Sequence, residues 1–214
     1  MADRNLPDWL RPLVSAVETV DPQDLSRFLP PEDGSGRESA VLIALRDSED
    51  GPAVLLIERA ADLRAHPGQV AFPGGALDPG DPDPAAAALR EANEEVGLDP
   101  ASVRIVAQFP ALFIPVTEYV VTPVLGWWQR PHPVTPVDPM EVAHVAVVPV
   151  AELADPGNRF RVSHPSGFVG PGFGVAGLFV WGFTAGLLDT LLRLGGWARP
   201  WDESRVEPLP GDAS

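Results

Sequence analysis

The chain has 214 residues, a formal net charge of −15 and no cysteine. The lack of cysteine excludes disulfides and thiolate metal sites, and the acidic balance disfavours nucleic-acid binding, which needs a basic surface. The sequence shows neither an apolar run long enough to span a membrane nor a basic start followed by an apolar run. We therefore expect one soluble, cytoplasmic domain that binds neither nucleic acid nor membrane.

The N-terminal part of the chain differs from the rest in composition. Trp9, Leu10, Leu13 and Val17 recur at helical spacing, which predicts a short amphipathic helix. A stretch rich in proline and glycine follows it and indicates a linker. The chain is thereby divided into an N-terminal helical extension and linker (1–36), a main domain (37–198) and a flexible acidic tail (199–214).

The main domain shows a strand-rich pattern with two helices. Strands are predicted at 40–45, 54–57, 70–72, 103–107, 119–125 and 142–148, and helices at 84–96 and 183–194. The Gly- and Pro-rich residues 155–177 indicate a flexible loop or an irregular hairpin. This order fits an α+β protein without selecting one architecture.

The helix predicted at 84–96 carries Glu91, Glu94 and Glu95. Residues three and four positions apart share one side of a helix, so these carboxylates form one acidic edge. Such carboxylates repel one another, and a divalent cation such as Mg²⁺ or Mn²⁺, which prefers oxygen ligands, removes the repulsion. The alternative is a solvated helix face on which Arg90 and Glu94 form an ordinary i,i+4 ion pair.

A glycine pair precedes this helix and favours the metal interpretation. Gly74 and Gly75 allow the backbone to approach a ligand closely and can turn a carbonyl group towards a metal. Asp81 and Asp83 lie near the predicted helix start, where negative charge suits the helix dipole and an aspartate can cap.

Gly75, the acidic loop and the run Arg90-Glu91-x-x-Glu94-Glu95-x-Gly97-Leu98 resemble the Nudix box of hydrolases that act on nucleoside-diphosphate-linked compounds. The usual box has a glutamate after five residues and an arginine after seven more. Here Asp81 follows after five residues and Arg90 after eight more. Either the loop carries one extra residue, or the first acidic position is not used in the common way.

Residues 55–75 are similar to the signature of the coenzyme A diphosphatase branch of this family. That signature begins Leu-Leu-Thr-x-Arg and continues through a spaced arginine and glycine to Phe-Pro-Gly-Gly. The chain has Leu55-Leu56-Ile57-Glu58-Arg59 and ends with Phe72-Pro73-Gly74-Gly75, so isoleucine replaces the threonine. The same branch tends to carry the longer loop. The resemblance implies a Nudix-type α/β/α sandwich with a mixed central β-sheet.

The resemblance also implies an activity and a set of roles. The reaction would be metal-dependent hydrolysis of the diphosphate bond of coenzyme A or a derivative, with Mg²⁺ or Mn²⁺ as cofactor. The products would be adenosine 3′,5′-bisphosphate and 4′-phosphopantetheine. The expected metal ligands are Glu91, Glu95, Glu94 and the Gly75 carbonyl. The expected substrate-binding residues are Arg59, Arg64, His66, Gly74 and Gly75. The expected catalytic residues are Glu94, Glu91 and Glu141, with the general base assigned to a box glutamate or to the more distant Glu141.

Three alternatives stay open at the level of sequence. The same chemistry could act on ADP-ribose, NADH or a nucleoside triphosphate. The fold could instead serve as a catalytically silent binding module. Finally, the N-terminal helix and Trp127-Trp128 could belong to the core or to an interface, which leaves a homodimer open.

Overall fold

The structure, a computed structural model, describes residues 5–26, 28–63, 66–164 and 167–210. The helices are α1 (Arg11–Val17), α2 (Pro22–Leu25), α3 (Pro84–Val96), α4 (Val150–Leu153) and α5 (Gly182–Leu194). The strands are β1 (Arg37–Ser48), β2 (Gly51–Arg59), β3 (Val70–Ala71), β4 (Gly74–Ala76), β5 (Val103–Gln108), β6 (Leu112–Ile114), β7 (Tyr119–Trp128), β8 (Val142–Pro149), β9 (Arg159–Ser163), β10 (Val169–Val175), β11 (Leu178–Val180) and β12 (Val206–Pro208). Within these ranges, no helix is both long enough and apolar enough to cross a bilayer.

The main sheet is built around the long strand β1. Its strand order is β3-β2-β1-β7-β5, with β4 paired to β1, β6 to β7 and β8 to β2. β1 runs parallel to β7 but antiparallel to β2 and β4, so the sheet is mixed. A smaller sheet has the order β11-β10-β9-β12. It includes the stretch expected to be a loop or an irregular hairpin, where β9 and β10 pair antiparallel.

Both faces of the main sheet are covered by helices. Along β1, Leu42 and Ala44 belong to the core beneath α3, whereas Ile43 and Leu45 belong to the core shared with α1 and α5. This alternation is what a strand buried on both faces requires, since successive side chains point to opposite sides. The architecture is therefore the expected α/β/α sandwich.

The N-terminal helix is part of the second of these cores. Leu10 and Leu13 are fully buried and pack with the apolar side of α5. The indole Nε1 of Trp9 donates a 2.7 Å hydrogen bond to Asp47 Oδ1, and the Trp9 ring lies 6.4 Å from the ring of Trp197. The predicted helix is confirmed, and its apolar side faces the main domain.

The C-terminal segment differs from the expectation of a flexible tail. β12 pairs in parallel with β9, and the guanidinium carbon of Arg159 lies 4.6 Å from the centre of the Trp201 ring. Residues 211–214 lie outside the described residues. Trp128 is fully buried beneath α3. Of the two positions left open for it by the sequence, core or interface, Trp128 therefore occupies the core.

Candidate active site

Helix α3 has the bounds that its sequence predicts. Asp83 caps its first turn by accepting a 2.8 Å hydrogen bond from the Ala86 amide, and Pro84 follows at the first helical position. Gly97 ends the helix with a φ of +69°, a conformation that glycine adopts without strain. The small buried side chains of Ala88 and Ala92 allow the helix to lie close to the sheet.

Glu95 is a buried carboxylate of the candidate site. Its side chain is only 8% exposed, its Oε2 accepts a 3.0 Å hydrogen bond from the Gly74 amide, and its Oε1 lies 3.9 Å from Arg59 Nη1. Burial, with smaller contributions from the negative charges of Glu91 and Glu141, raises the pKa of Glu95 to about 7. The Gly74 amide and Arg59 oppose this rise. The helix therefore holds a carboxyl group in surroundings that disfavour its charge.

The two glycines before the helix are required by close contacts. A Cβ atom on Gly74, whose φ is +156°, would lie 2.3 Å from the Ala40 carbonyl oxygen. A Cβ atom on Gly75 would lie 2.6 Å from the Glu91 carboxyl group. The glycines therefore let β4 pair with β1 while Glu91 and Glu95 of α3 lie against the Gly74–Gly75 backbone.

Arg90 joins the loop to the helix. Its guanidinium donates to both carboxylate oxygens of Asp81 at 2.9 and 3.2 Å, to Glu91 at 2.9 Å and to Glu94 at 3.1 Å. It also donates to the Ala76 carbonyl at 3.1 Å. The hydrogen bond from Arg90 lowers the pKa of Asp81. Asp81 therefore anchors the longer loop to the helix, and the predicted i,i+4 pair of Arg90 with Glu94 is confirmed.

The three glutamates of α3 have different surroundings. Glu91 and Glu95 lie against the Gly74–Gly75 backbone, whereas Glu94 is 57% exposed and paired with Arg90. Burial also raises the pKa of Glu91, although Arg90 opposes this. In the part of the chain that the structure describes, no three His, Asp or Glu side chains are arranged so that they could hold a metal ion as they stand. The donor chemistry nevertheless suits a hard cation, because carboxylate oxygens converge on the Gly74–Gly75 backbone.

The expected substrate-binding residues lie on the strand and loop before the glycines. Arg59, at the end of β2, faces Glu95, and its Nε is buried with no hydrogen-bond partner among the described residues. His66 is exposed with a φ of +55°, and its Nδ1 lies 2.9 Å from Gln69 Oε1. Arg64 lies outside the described residues. The structure thus brings Arg59 to the acidic helix, and the role of His66 stays a prediction.

Glu141 reaches the site from a distant part of the sequence. Its carbonyl oxygen accepts a 2.9 Å hydrogen bond from the Ala60 amide, which places it beside the end of β2 and hence beside Arg59. Its side chain is exposed, and its charge acts on Glu95. The candidate base is therefore close enough to influence the buried carboxylate electrostatically.

The role of Arg90 in holding the loop before α3 through several hydrogen bonds was not predicted from the sequence. A signal for it was present, because Arg90 is the only Arg or Lys between Arg64 and Arg104, a stretch that contains seven acidic residues. A single cationic side chain among so many carboxylates is expected to form ion pairs with several of them.

The family follows from comparison with known proteins. The NUDIX domain model matches residues 36–168. The chain belongs to the Nudix family. Its Nudix domain is similar to "Uncharacterized Nudix hydrolase NudL" of Enterobacter sp. (strain 638), at 40% identity over 173 residues, covering 74% of this chain and 83% of the relative. The relative of the same name from Escherichia coli (strain K12) is 38% identical over 167 residues, with the same coverage.

Solved Nudix structures share the fold. The Nudix hydrolase RenU of M. smegmatis gives a TM-score of 0.51 at 22% identity, covering 82% of this chain and 98% of the other. A NUDIX hydrolase from Nitrosomonas europaea gives 0.52 at 15% identity, covering 81% and 80%. From the domain match and the relatives above, the chain is a Nudix hydrolase, a class that acts on nucleoside diphosphate derivatives and generally uses divalent metal cations.

Proposed function

We propose that this Nudix hydrolase cleaves the diphosphate bond of coenzyme A or its derivatives, with Mg²⁺ or Mn²⁺ as cofactor. The products are adenosine 3′,5′-bisphosphate and 4′-phosphopantetheine. The observation that carries the proposal is the position of Arg59, which belongs to the coenzyme A-type motif and lies 3.9 Å from Glu95 of the Nudix box. This approach supports the proposal, because it brings a residue of the coenzyme A-type motif beside the helix of the Nudix box.

Arg59 supports the proposal through its hydrogen-bonding state as well. A buried guanidinium nitrogen without a partner in the described part of the chain is costly unless a ligand supplies the acceptor. The planar guanidinium suits phosphate oxygens. We assign Arg59 to the substrate diphosphate, together with Arg64, His66 and the Gly74 backbone.

The acidic residues divide the remaining roles. Glu91, Glu95 and the Gly75 carbonyl would hold a divalent cation, and Glu94 would join them on release from Arg90. When bound, the cation would offset the negative charge that makes a diphosphate resistant to attack. We assign the general base to Glu141, with Glu94 as the alternative, because Glu141 is exposed beside the site and can take a proton from an attacking water.

A mass-resolved product assay tests this function. Coenzyme A, ADP-ribose and NADH are incubated separately with the protein and either Mg²⁺ or Mn²⁺. Glu95→Gln and Glu141→Gln are assayed beside a matched control, Glu152→Gln, which changes an exposed carboxylate on α4. We expect 4′-phosphopantetheine and adenosine 3′,5′-bisphosphate from coenzyme A, with loss of product in Glu95→Gln and normal yield in the control.

Each other outcome has a distinct meaning. Preferential cleavage of ADP-ribose or NADH would keep the hydrolase chemistry and reject coenzyme A as the substrate. No turnover of any of the three would reject the proposed activity and favour a silent binding module. Full activity of Glu141→Gln with normal pH dependence would transfer the role of base to Glu94.

A further inference from the structure

The loop between β7 and β8 crosses the C-terminal end of α3 and ends beside Arg59. The Val137 amide donates a 3.0 Å hydrogen bond to the Glu95 carbonyl, and the Thr135 amide donates a 3.3 Å bond to the Val96 carbonyl. At its other end, the Glu141 carbonyl accepts from the Ala60 amide. These bonds satisfy carbonyl groups that the helix end leaves open, and they fix the loop against the acidic site.

Two large apolar side chains on this loop are exposed. Val137 is 59% exposed and Met140 is 67% exposed, whereas Val134 of the same loop packs into the core. Val137 lies over the helix end, since a Cβ atom on Gly97 would be 3.8 Å from its Cγ2. The Met140 amide donates a 2.8 Å bond to Asp138 Oδ1, which holds this turn in place. We call Val137 and Met140 the apolar rim.

Single exposed apolar residues are common and need no explanation. The apolar rim differs because of its position, with two such residues within four positions of each other and Met140 immediately before Glu141. Asp138 and Glu141 disfavour a phosphate at this place, whereas Arg59 favours one nearby. The charges therefore divide the site into a part suited to a diphosphate and a part suited to an uncharged group.

We propose that the apolar rim binds the uncharged arm of the substrate, namely the pantetheine chain and an acyl group attached to its sulfur. This inference rests on the proposed function and assigns the binding of that arm to Val137 and Met140. Methionine is flexible and polarisable, so Met140 suits acyl chains of different lengths. The rim therefore favours acylated coenzyme A over the free thiol.

Steady-state kinetics of a double variant, Val137→Ser/Met140→Ser, tests the rim. The substrates are coenzyme A and octanoyl-coenzyme A, and adenosine 3′,5′-bisphosphate is used as an inhibitor that lacks the arm. We expect KM for octanoyl-coenzyme A to rise about tenfold, as loss of one or two apolar contacts predicts. The kcat value and the inhibition constant of the bisphosphate should stay unchanged. The matched control, Val206→Ser, alters a similarly exposed valine on β12 and should change none of these values.

The outcomes separate this inference from the proposed function. If the parent protein cleaves coenzyme A and the double variant keeps the parental KM for octanoyl-coenzyme A, the substrate arm does not bind at the apolar rim, and the proposed function stands. An equal rise in the KM for octanoyl-coenzyme A and in the inhibition constant of the bisphosphate would also reject the role of the rim, because the binding defect would then not be specific to the arm. If the parent protein cleaves neither coenzyme A nor its octanoyl ester, the function and the rim fail together. Circular dichroism of both variants checks that the fold is retained.

Discussion

The two faces of the central sheet are covered in different ways. On one face, α3 packs through small residues such as Ala88 and Ala92 and places the buried Glu95 against the Gly74 backbone amide. On the other face, α1 and α5 pack through leucines such as Leu13 and Leu188, all within an apolar core. The first face holds a carboxylate at an energetic cost, and the second supplies burial without such a cost.

This difference is typical of an enzyme in which chemistry and stability are separated. Functional groups often reduce stability, since they require charge, strain or exposure that a packed core avoids. The separation has a direct consequence. Changes on the α3 face should affect turnover more than folding, and changes on the α1 and α5 face should do the reverse.

The largest expected effect is on turnover when Glu95 becomes glutamine. The change keeps the shape of the side chain and removes its charge, so a cation bound by Glu91 and Glu95 would lose a ligand. We expect kcat/KM to fall by on the order of 10² to 10⁴-fold while the fold is retained. Activity assays with Mg²⁺ and Mn²⁺, together with a thermal melt, measure both quantities. Parental activity with an unchanged metal requirement would refute the ligand role.

The opposite face should give the reverse result. Leu10 is fully buried, and Leu10→Ala would leave a cavity between α1 and α5. We expect the free energy of unfolding to fall by about 2–5 kcal/mol, with kcat/KM unchanged at temperatures where the variant stays folded. Urea denaturation measures the loss, and Leu29→Ala, which removes an exposed leucine, is the matched control. A stability loss no larger than that of the control would show that α1 does not contribute to the main core.

The electrostatic cost of burying Glu95 can be measured from the pH dependence of the free energy of unfolding. The pKa of Glu95 is raised from 4.5 to about 7 in the folded protein, so the folded state holds this proton more tightly than the unfolded chain. This tighter proton binding adds to the free energy of unfolding in full below pH 4.5, and the added stability is lost as the pH rises to about 7. At about 1.4 kcal/mol per pH unit, the loss between these two pH values is about 3–4 kcal/mol.

Comparing the wild type with Glu95→Gln isolates the pH-dependent part of the stability that is due to Glu95. Both proteins are unfolded in urea with a chelator present, at pH 5 and at pH 7.5. We expect the wild type to lose more stability than the variant between the two values, because glutamine has no proton to release. Identical pH dependence in the two proteins would mean that burial of Glu95 carries no such cost.

The elements that the sequence predicted best are those with local causes. α3 begins at Pro84 and ends at Val96 because Asp83 and Gly97, its immediate neighbours, provide the caps. The shared side of Glu91 and Glu95 follows from helical periodicity alone. The same locality explains why the predicted i,i+4 pair of Arg90 with Glu94 is present.

The features that could not be predicted depend on distant partners. Asp81 reaches Arg90 across the longer loop, and Glu141 acts on Glu95 only because the β7–β8 loop lies over the helix end. β4 forms although glycines disfavour strands, because its pairing with the distant β1 overrides that preference. Single-residue propensity carries no information on these contacts.

The C-terminal segment gives the smallest predicted effect and lies away from the α3 face. The buried Arg159 guanidinium lies between the Phe173 ring at 5.0 Å and the Trp201 ring at 4.6 Å, and it pairs with Asp189 of α5. Trp201→Ala removes one ring from this arrangement, whereas Trp201→Phe keeps an aromatic face. We expect the alanine variant to lose about 1 kcal/mol of stability, the phenylalanine variant to lose less, and both to keep parental kcat/KM.

Hydrogen exchange shows whether the ring also holds the segment in place. The Arg161 amide donates a 2.8 Å hydrogen bond to the Arg205 carbonyl, and this bond lies at the junction of β9 and β12. If Trp201 secures the segment, the Arg161 amide should exchange faster in Trp201→Ala than in Trp201→Phe, because exchange there requires β12 to separate. Equal exchange in the two variants would mean that pairing with β9 alone holds β12. The tail would then be secured by its backbone, and the aromatic contact would stabilise only the buried arginine.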